Sequence, residues 1–252
     1  MSHIIVDTET TSLDKPFCYD IGYLIKDGPD FCVKRHFIIE QVWHNLPLFE
    51  SAYYKDKRPL YIQLMRQHKA IMDKWGYVMR QISRDIRDYN VTAAYAYNSD
   101  FDDRVIAFNC DWFKCNNPFE ALPIYDIWGY ASQFITNTAE YKKFCDDNQF
   151  YTDSGNYKGN AETVYKYITG DTEFVEAHMG LYDSEIESEI LDYCLATATP
   201  ETSYPVVKIL EREIETPYQI KVNGVLIHQG EYTKQYTRNK TWFFNEKVTT
   251  AD

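Results

Sequence analysis

Ile4-Ile5-Val6-Asp7-Thr8-Glu9-Thr10-Thr11 is the stretch from which the rest of the chain is best read. Three consecutive β-branched residues near the N-terminus predict a strand buried on both faces, as in the middle of a layered α/β sheet. Strand side chains alternate, so Asp7 and Glu9 leave the sheet on the same side. Two carboxylates held that close repel each other and are costly to desolvate unless a cation sits between them. A divalent metal ion meets that need. The alternative makes Asp7 a turn cap and leaves Glu9 solvated, and the rest of the chain has to decide.

Outward from this stretch, Phe17 to Lys26 and Phe31 to Ile39 are rich in β-formers and flank the turn sequence Asp27-Gly28-Pro29-Asp30, which predicts an antiparallel hairpin. Residues 40–58 have no regular pattern. From Leu60 to Tyr89 the pattern is helical, with Ile71, Trp75, Val78, Ile82, Ile86 and Tyr89 on one stripe. Arg80, Arg84 and Arg87 fall opposite, a solvated face that is also the best basic ridge for phosphates. Val91 to Tyr97 reads as a buried strand leading into Asn98-Ser99-Asp100-Phe101-Asp102-Asp103, which opens a helix. On a 3.6-residue wheel Asp102 lies with Val105, Ile106 and Asn109, whereas Asp100 and Asp103 lie away from them. Asp102 is thus the inward carboxylate, and it needs a partner.

Leu122 to Tyr125 predicts a fifth strand, followed by Asp126 and a helix to about Thr136. Cys145 to Asn160 reads as a loop, and Ala161 to Ile168 as a helix closed by Gly170. In the last helix of this part Asp183, Ile186, Ile190 and Cys194 share one stripe. Asp183 is therefore a second inward acid, without a basic residue at i+3 or i+4. His178 enters the same helix five residues earlier. Residues 201–252 form an appended unit after a 1–200 domain. It is read as a helix from Tyr204 to Glu215 and a hairpin from Tyr218 to His228 around Asn223-Gly224. Its closing run interleaves Tyr232, Tyr236 and Trp242 with Lys234, Arg238 and Lys240, a pattern that either stacks bases and touches phosphates or simply packs on the sheet.

Composition bounds the class. The 252 residues are 44% hydrophobic, enough for a substantial core, and 22 are Tyr. No apolar run approaches the roughly 20 residues of a membrane span, and no signal peptide opens the chain, so the expectation is a soluble cytoplasmic protein with six reduced cysteines. Cys110 and Cys115 are the only close pair, and no second Cys/His pair stands near them to complete a zinc site. The net charge is −12, yet residues 55–90 carry nine Lys/Arg against four Asp/Glu. An acidic chain with a basic patch and a metal site can still hold a polyanion locally.

Taken together, Asp7-Thr8-Glu9-Thr10-Thr11, then Asn98-Ser99-Asp100-Phe101-Asp102, then His178 with Asp183 five residues on, resemble in order the three motifs of the DEDDh 3′–5′ exonucleases. These form the DnaQ-like branch of the ribonuclease H-like superfamily. The resemblance covers roughly residues 3–195. Ser12 stands where the family usually has Gly, and Tyr97 where it often has His. The resemblance implies an α/β ribonuclease H-like exonuclease fold, with a mixed five-stranded sheet and flanking helices. It implies two Mg²⁺ or Mn²⁺ ions held by Asp7, Glu9, Asp102 and Asp183, with His178 taking a proton from the attacking water. It also implies terminal-nucleotide contacts at Thr8, Thr10, Thr11, Leu13, Asn98 and Phe101. The expected substrate is nucleic acid with a free 3′ end, foremost single-stranded DNA, cut to nucleoside 5′-monophosphates. An exoribonuclease or oligoribonuclease, or a non-catalytic module docking on a polymerase or helicase through residues 201–252, remain the alternatives.

Overall fold

The computed structural model describes residues 2–28 and 30–198, and the backbone of 209–222 and 225–239. Its centre is β1 (Ser2–Thr10), paired antiparallel with β2 (Cys18–Asp27) on one side and parallel with β5 (Ala93–Ala96) on the other. β3 (Asp30–Ile39) extends the hairpin, and β6 (Ile124–Asp126) adds in parallel beyond β5. Two single-turn helices, α1 (Glu40–Trp43) and α2 (Leu46–Phe49), occupy the stretch expected to be irregular, followed by a 3-10 turn at Lys55–Lys57.

The helix expected over 60–89 is two helices, α3 (Arg58–Arg66) and α4 (Trp75–Asp88). Between them lies β4 (Ile71–Asp73), which pairs in parallel with the outer edge of β3. His68 takes a left-handed backbone (φ 57°) and ends α3, and Phe37 to Ile39 supply the strand partners that residues 71–73 need. Ile71 is accordingly exposed and not on the stripe, while Trp75, Val78 and Ile82 are buried as expected. The sheet is thus mixed, as read from the sequence, but among the described residues it has six strands in the order β4-β3-β2-β1-β5-β6 instead of five.

Helices cover both faces. Ile4 and Val6 pack with Trp75, Val78 and Ile82 of α4 and with Val105 and Ile106 of α5 (Ser99–Trp112). Ile5 and Leu24 point the other way, to α6 (Ile127–Ala131), α7 (Ala139–Asn148), α8 (Ala161–Thr169) and α9 (Gly180–Thr197). Each fully buried aliphatic side chain contributes about 1.5–3 kcal/mol, so β1 is held from both sides. A π-helical turn, Ser132–Thr136, continues α6, and Gly170 closes α8 in the left-handed region. α7 takes up the first residues of the expected 145–160 loop.

β7 (Ile209–Val222) and β8 (Val225–Asn239) form a separate two-stranded antiparallel sheet. The hairpin is therefore longer than expected. The helix expected at 204–215 is corrected over 209–215, which is strand; residues 204–208, Asn223, Gly224, Lys240 and Trp242 lie outside the described residues. The even spacing of Ile214, Thr216 and Tyr218 gave a strand signal that was masked by the acidic, helix-favouring Glu211, Glu213 and Glu215. Among the described residues no helix is long and apolar enough to cross a membrane.

Candidate active site

The strand register sets the site. Asp7 lies opposite Gly22 on β2, and Glu9 lies opposite Asp20. Both acids share the parity of Ile5 and so face the α9 side of the sheet. With no side chain at Gly22, the first turn of α9 can come down onto the strand pair. A Cβ on Gly22 would lie 1.8 Å from the Leu181 amide nitrogen, and one on Gly180 would lie 2.3 Å from the Gly22 nitrogen and 3.0 Å from the Asp7 carbonyl. Asp20 Oδ2 accepts from the Gly180 amide at 3.0 Å, while its Oδ1 meets His36 Nε2 at 2.8 Å. Ser184 Oγ donates to the Gly22 and Gly180 carbonyls. This close seating brings Asp183 and Glu187, one turn apart and both buried, over the end of β1.

Asp102 reaches the site from the opposite layer. Asn98, in the left-handed region (φ 61°), turns the chain from β5 into α5, and its amide donates to Asp126 Oδ1. Asp102 is buried together with Val105, Ile106 and Asn109. Its Oδ1 accepts from both the Thr8 amide (3.0 Å) and the Thr8 hydroxyl (2.7 Å).

Burial and mutual repulsion dominate the electrostatics. Asp7 is pushed well above the usual carboxylate range, first by burial and then by Asp102, Glu187, Asp183 and Glu9. Glu9 is pushed up to about 9 by burial and by Asp20 across the strand pair. Asp183 is pushed up to about 8 by burial and by Glu176, against the amide of Met179, which donates to its Oδ2 at 2.6 Å. Burial, then Asp102 and Asp183, raise Glu187 as well. Asp7 Oδ2, Asp183 Oδ1 and Glu187 Oε2 are all buried without a hydrogen-bond partner. Buried, unpartnered carboxylate oxygens on acids near enough to raise one another's pKa are a donor set that suits a hard divalent cation, so the residues fit the expected ions, although Asp7 and Asp102 do not belong to the side chains whose ligand atoms all lie within 4.8 Å of one another.

His178 stands at the rim, one third exposed and with a left-handed backbone (φ 47°). Glu9, His178 and Asp183 each offer a ligand atom within 4.8 Å of one another. Burial, then the Lys57 ammonium, hold the imidazole below its ordinary pKa, against Glu162. Lys57 brings a cation to these acids. It faces Glu9, Asp183 and Glu176, and burial outweighs their pull, so its own pKa is lowered.

The residues expected to touch the nucleotide separate into two groups. Leu13 is 77% exposed, Asn98 is exposed and Phe101 is partly buried beneath Arg104. Thr10 Oγ1 donates to the Ser12 carbonyl. Thr8 and Thr11 are buried, and their side chains are engaged within the fold. Both Thr8 donors go to Asp102, and Thr11 bonds Phe17 and Lys15 across the base of the 11–17 loop. Tyr97, at the position often His in the resembled family, donates to the Gly159 carbonyl at 2.5 Å.

Sequence reasoning missed Asp20, Tyr54, Lys57, Glu176 and Glu187. Glu187 carried a signal, being four residues after Asp183 and so on the same helix face. Asp20 carried another, as an acid between Tyr19 and Ile21 in a strand buried on both faces. Tyr54, Lys57 and Glu176 lie in stretches without periodicity and gave none.

No protein-family model matches the chain, and a comparison with curated proteins returns no match. Solved structures do show a likeness. Exonuclease X in complex with 5′-overhanging duplex DNA aligns with 80% of this chain and 96% of its own, at 14% identity and a TM-score of 0.44. E. coli exonuclease I in complex with a dA16 oligonucleotide aligns with 80% of this chain, at 13% identity and a TM-score of 0.49; the alignment spans 42% of that longer protein. Likenesses this loose carry no weight for the chemistry, which rests on the residues above.

Proposed function

We propose that the chain is a metal-dependent 3′–5′ exonuclease that hydrolyses phosphodiester bonds at nucleic-acid 3′ ends, foremost single-stranded DNA, and releases nucleoside 5′-monophosphates. The observation that carries this reading is the grouping of Glu9, His178 and Asp183 within 4.8 Å, beside two buried acids, Asp7 and Glu187, which each have a carboxylate oxygen without a partner and which press electrostatically on one another. Asp7, Glu9, Asp102 and Asp183 would hold Mg²⁺ or Mn²⁺. When bound, such ions supply charge that stabilises phosphate oxygens and lowers the pKa of water.

The remaining work falls to the chain itself. Thr8 holds Asp102 by two donors, and the Met179 amide holds Asp183, so both carboxylates are aimed before anything binds. His178 is pulled toward its neutral form by burial and Lys57, which suits it to accept a proton near neutral pH. Exposed Leu13 and Asn98, with partly buried Phe101, would border the terminal nucleotide.

Purified protein with Mg²⁺ or Mn²⁺ should shorten 5′-labelled single-stranded DNA stepwise from its 3′ end. Asp102→Ala and His178→Ala should each abolish the ladder, and matched RNA substrates rank the two sugars. Intact 3′ ends on both nucleic acids under these conditions would falsify the reading.

A further inference from the structure

The proposed proton acceptor sits in a segment without regular structure, between α8 and α9, where a ring has no helix or strand to fix its rotamer. Glu176 Oε2 stands 3.8 Å from His178 Nδ1, beyond hydrogen-bond length. Tyr54 stacks on the ring, with centroids 4.4 Å apart and planes at 13°. Lys57 Nζ donates to the Ala177 carbonyl at 2.5 Å, gripping the residue just before His178. The same ammonium lies 4.2 Å over the Tyr54 ring, and the Lys57 amide donates to the Tyr54 carbonyl. Tyr54, Lys57 and His178 therefore form one stack of contacts. The stack is anchored by the next residue, Arg58, whose guanidinium lies 4.4 Å over Trp43 and 4.9 Å over the buried Phe49.

We propose that Tyr54 and Lys57 form a clamp that fixes the orientation of the His178 imidazole, and are positioning residues for the hydrolysis. Tyr54 holds the ring by its face, leaving the edge nitrogens unblocked by the clamp, and Lys57 holds the backbone that carries the ring. Stacking of this kind contributes beyond simple burial and is directional, which is what a base that must meet a water within hydrogen-bond reach requires. The kinetic consequence rests on the exonuclease reading; the clamp itself does not.

The test therefore has two readouts. In the full-length protein, the His178 ring protons, assigned by their loss in His178→Gln among six histidines, should show the upfield ring-current shift of a stacked imidazole. Tyr54→Phe should keep that shift, and Tyr54→Ala should lose it. In the nuclease assay, Tyr54→Ala and Lys57→Met should each lower kcat by about tenfold to a hundredfold with KM little changed, as for a misplaced catalytic group. Tyr54→Phe should restore kcat. An unshifted ring in the wild-type protein overturns the clamp. So does a Tyr54→Ala variant that raises KM at full kcat, which would make Tyr54 a substrate platform. If the wild-type protein leaves DNA and RNA intact, the exonuclease reading falls, and the ring shifts still decide whether the clamp exists.

Discussion

Gly22 and Gly180 meet backbone to backbone, and no side chain fits between them: a Cβ built on either lies within 2.3 Å of the other segment's main chain. Gly22 is also the register partner of Asp7, so this contact sets the height of Asp183 above the first strand. Gly22→Ala and Gly180→Ala should each lift the start of α9. Overpacking of this kind costs about 1–3 kcal/mol, sometimes more. We expect a lower Tm in both, and weaker stabilisation by Mn²⁺ even where the fold survives. A variant with unchanged Tm and unchanged response to Mn²⁺ would mean the contact does not position the acid.

Thr8 and Asp102 join the two layers of the site through a 2.7 Å hydroxyl bond and a 3.0 Å amide bond. Thr8→Val keeps the shape and deletes the hydroxyl. Residues that orient a metal ligand typically contribute 10- to 100-fold in affinity or activity, and a hydrogen bond to a charged group about 1.5–3 kcal/mol. The Mn²⁺ concentration giving half-maximal activity should therefore rise about tenfold in Thr8→Val and stay near wild type in Thr8→Ser. Equal behaviour of the two variants would remove Thr8 from the site's support.

Much of this arrangement was legible in the chain because it follows from period. Alternation put Asp7 and Glu9 on one face, and the helix wheel selected Asp102 over Asp100 and Asp103, which are less buried. The hairpin, the β5 strand and the closing Gly170 of α8 also stood where local chemistry put them. What was not legible depends on contacts distant in sequence. Three residues at 71–73 become strand only because β3 offers an edge, and Ile71 leaves its helical stripe to join it. Nothing in the sequence around Thr8 showed that Asp102, 94 residues away, takes both its donors. Tyr54 and Lys57 acquire meaning only from Ala177 and His178, which lie more than a hundred residues on.

The raised carboxylates predict a pH dependence for the metal-free protein. Glu9, raised from 4.5 to about 9, and Asp183, raised from 3.8 to about 8, stay protonated in the fold over a range where the unfolded chain has lost those protons. The folded state then binds more protons, so stability is full below the unfolded values and is lost as pH rises through the folded ones. In EDTA, Tm should fall between about pH 5 and pH 9. Metal binding needs the deprotonated acids, so the increase in Tm produced by Mg²⁺ should grow over the same range. Melting curves at matched ionic strength check both slopes, and a metal-free Tm that climbs toward pH 9 contradicts the picture.

Glu187 gives the sharpest separation of charge from structure. It is buried, its Oε2 has no partner, and it is the second-largest charge pressing on Asp7. Glu187→Gln keeps the volume and removes the repulsion that Asp7 and Asp183 would otherwise meet when they ionise. Without metal at pH 8 the variant should therefore melt higher than wild type, because the wild-type fold holds this raised carboxyl toward a protonated form that the unfolded chain gives up, whereas Gln has no proton to hold. With metal the order should narrow or reverse, since the cation is what that negative charge favours. The check is a pair of melts per protein, in EDTA and in saturating Mn²⁺. A Glu187→Gln protein that melts lower in EDTA would show that this carboxylate serves the fold and not the charge of the site.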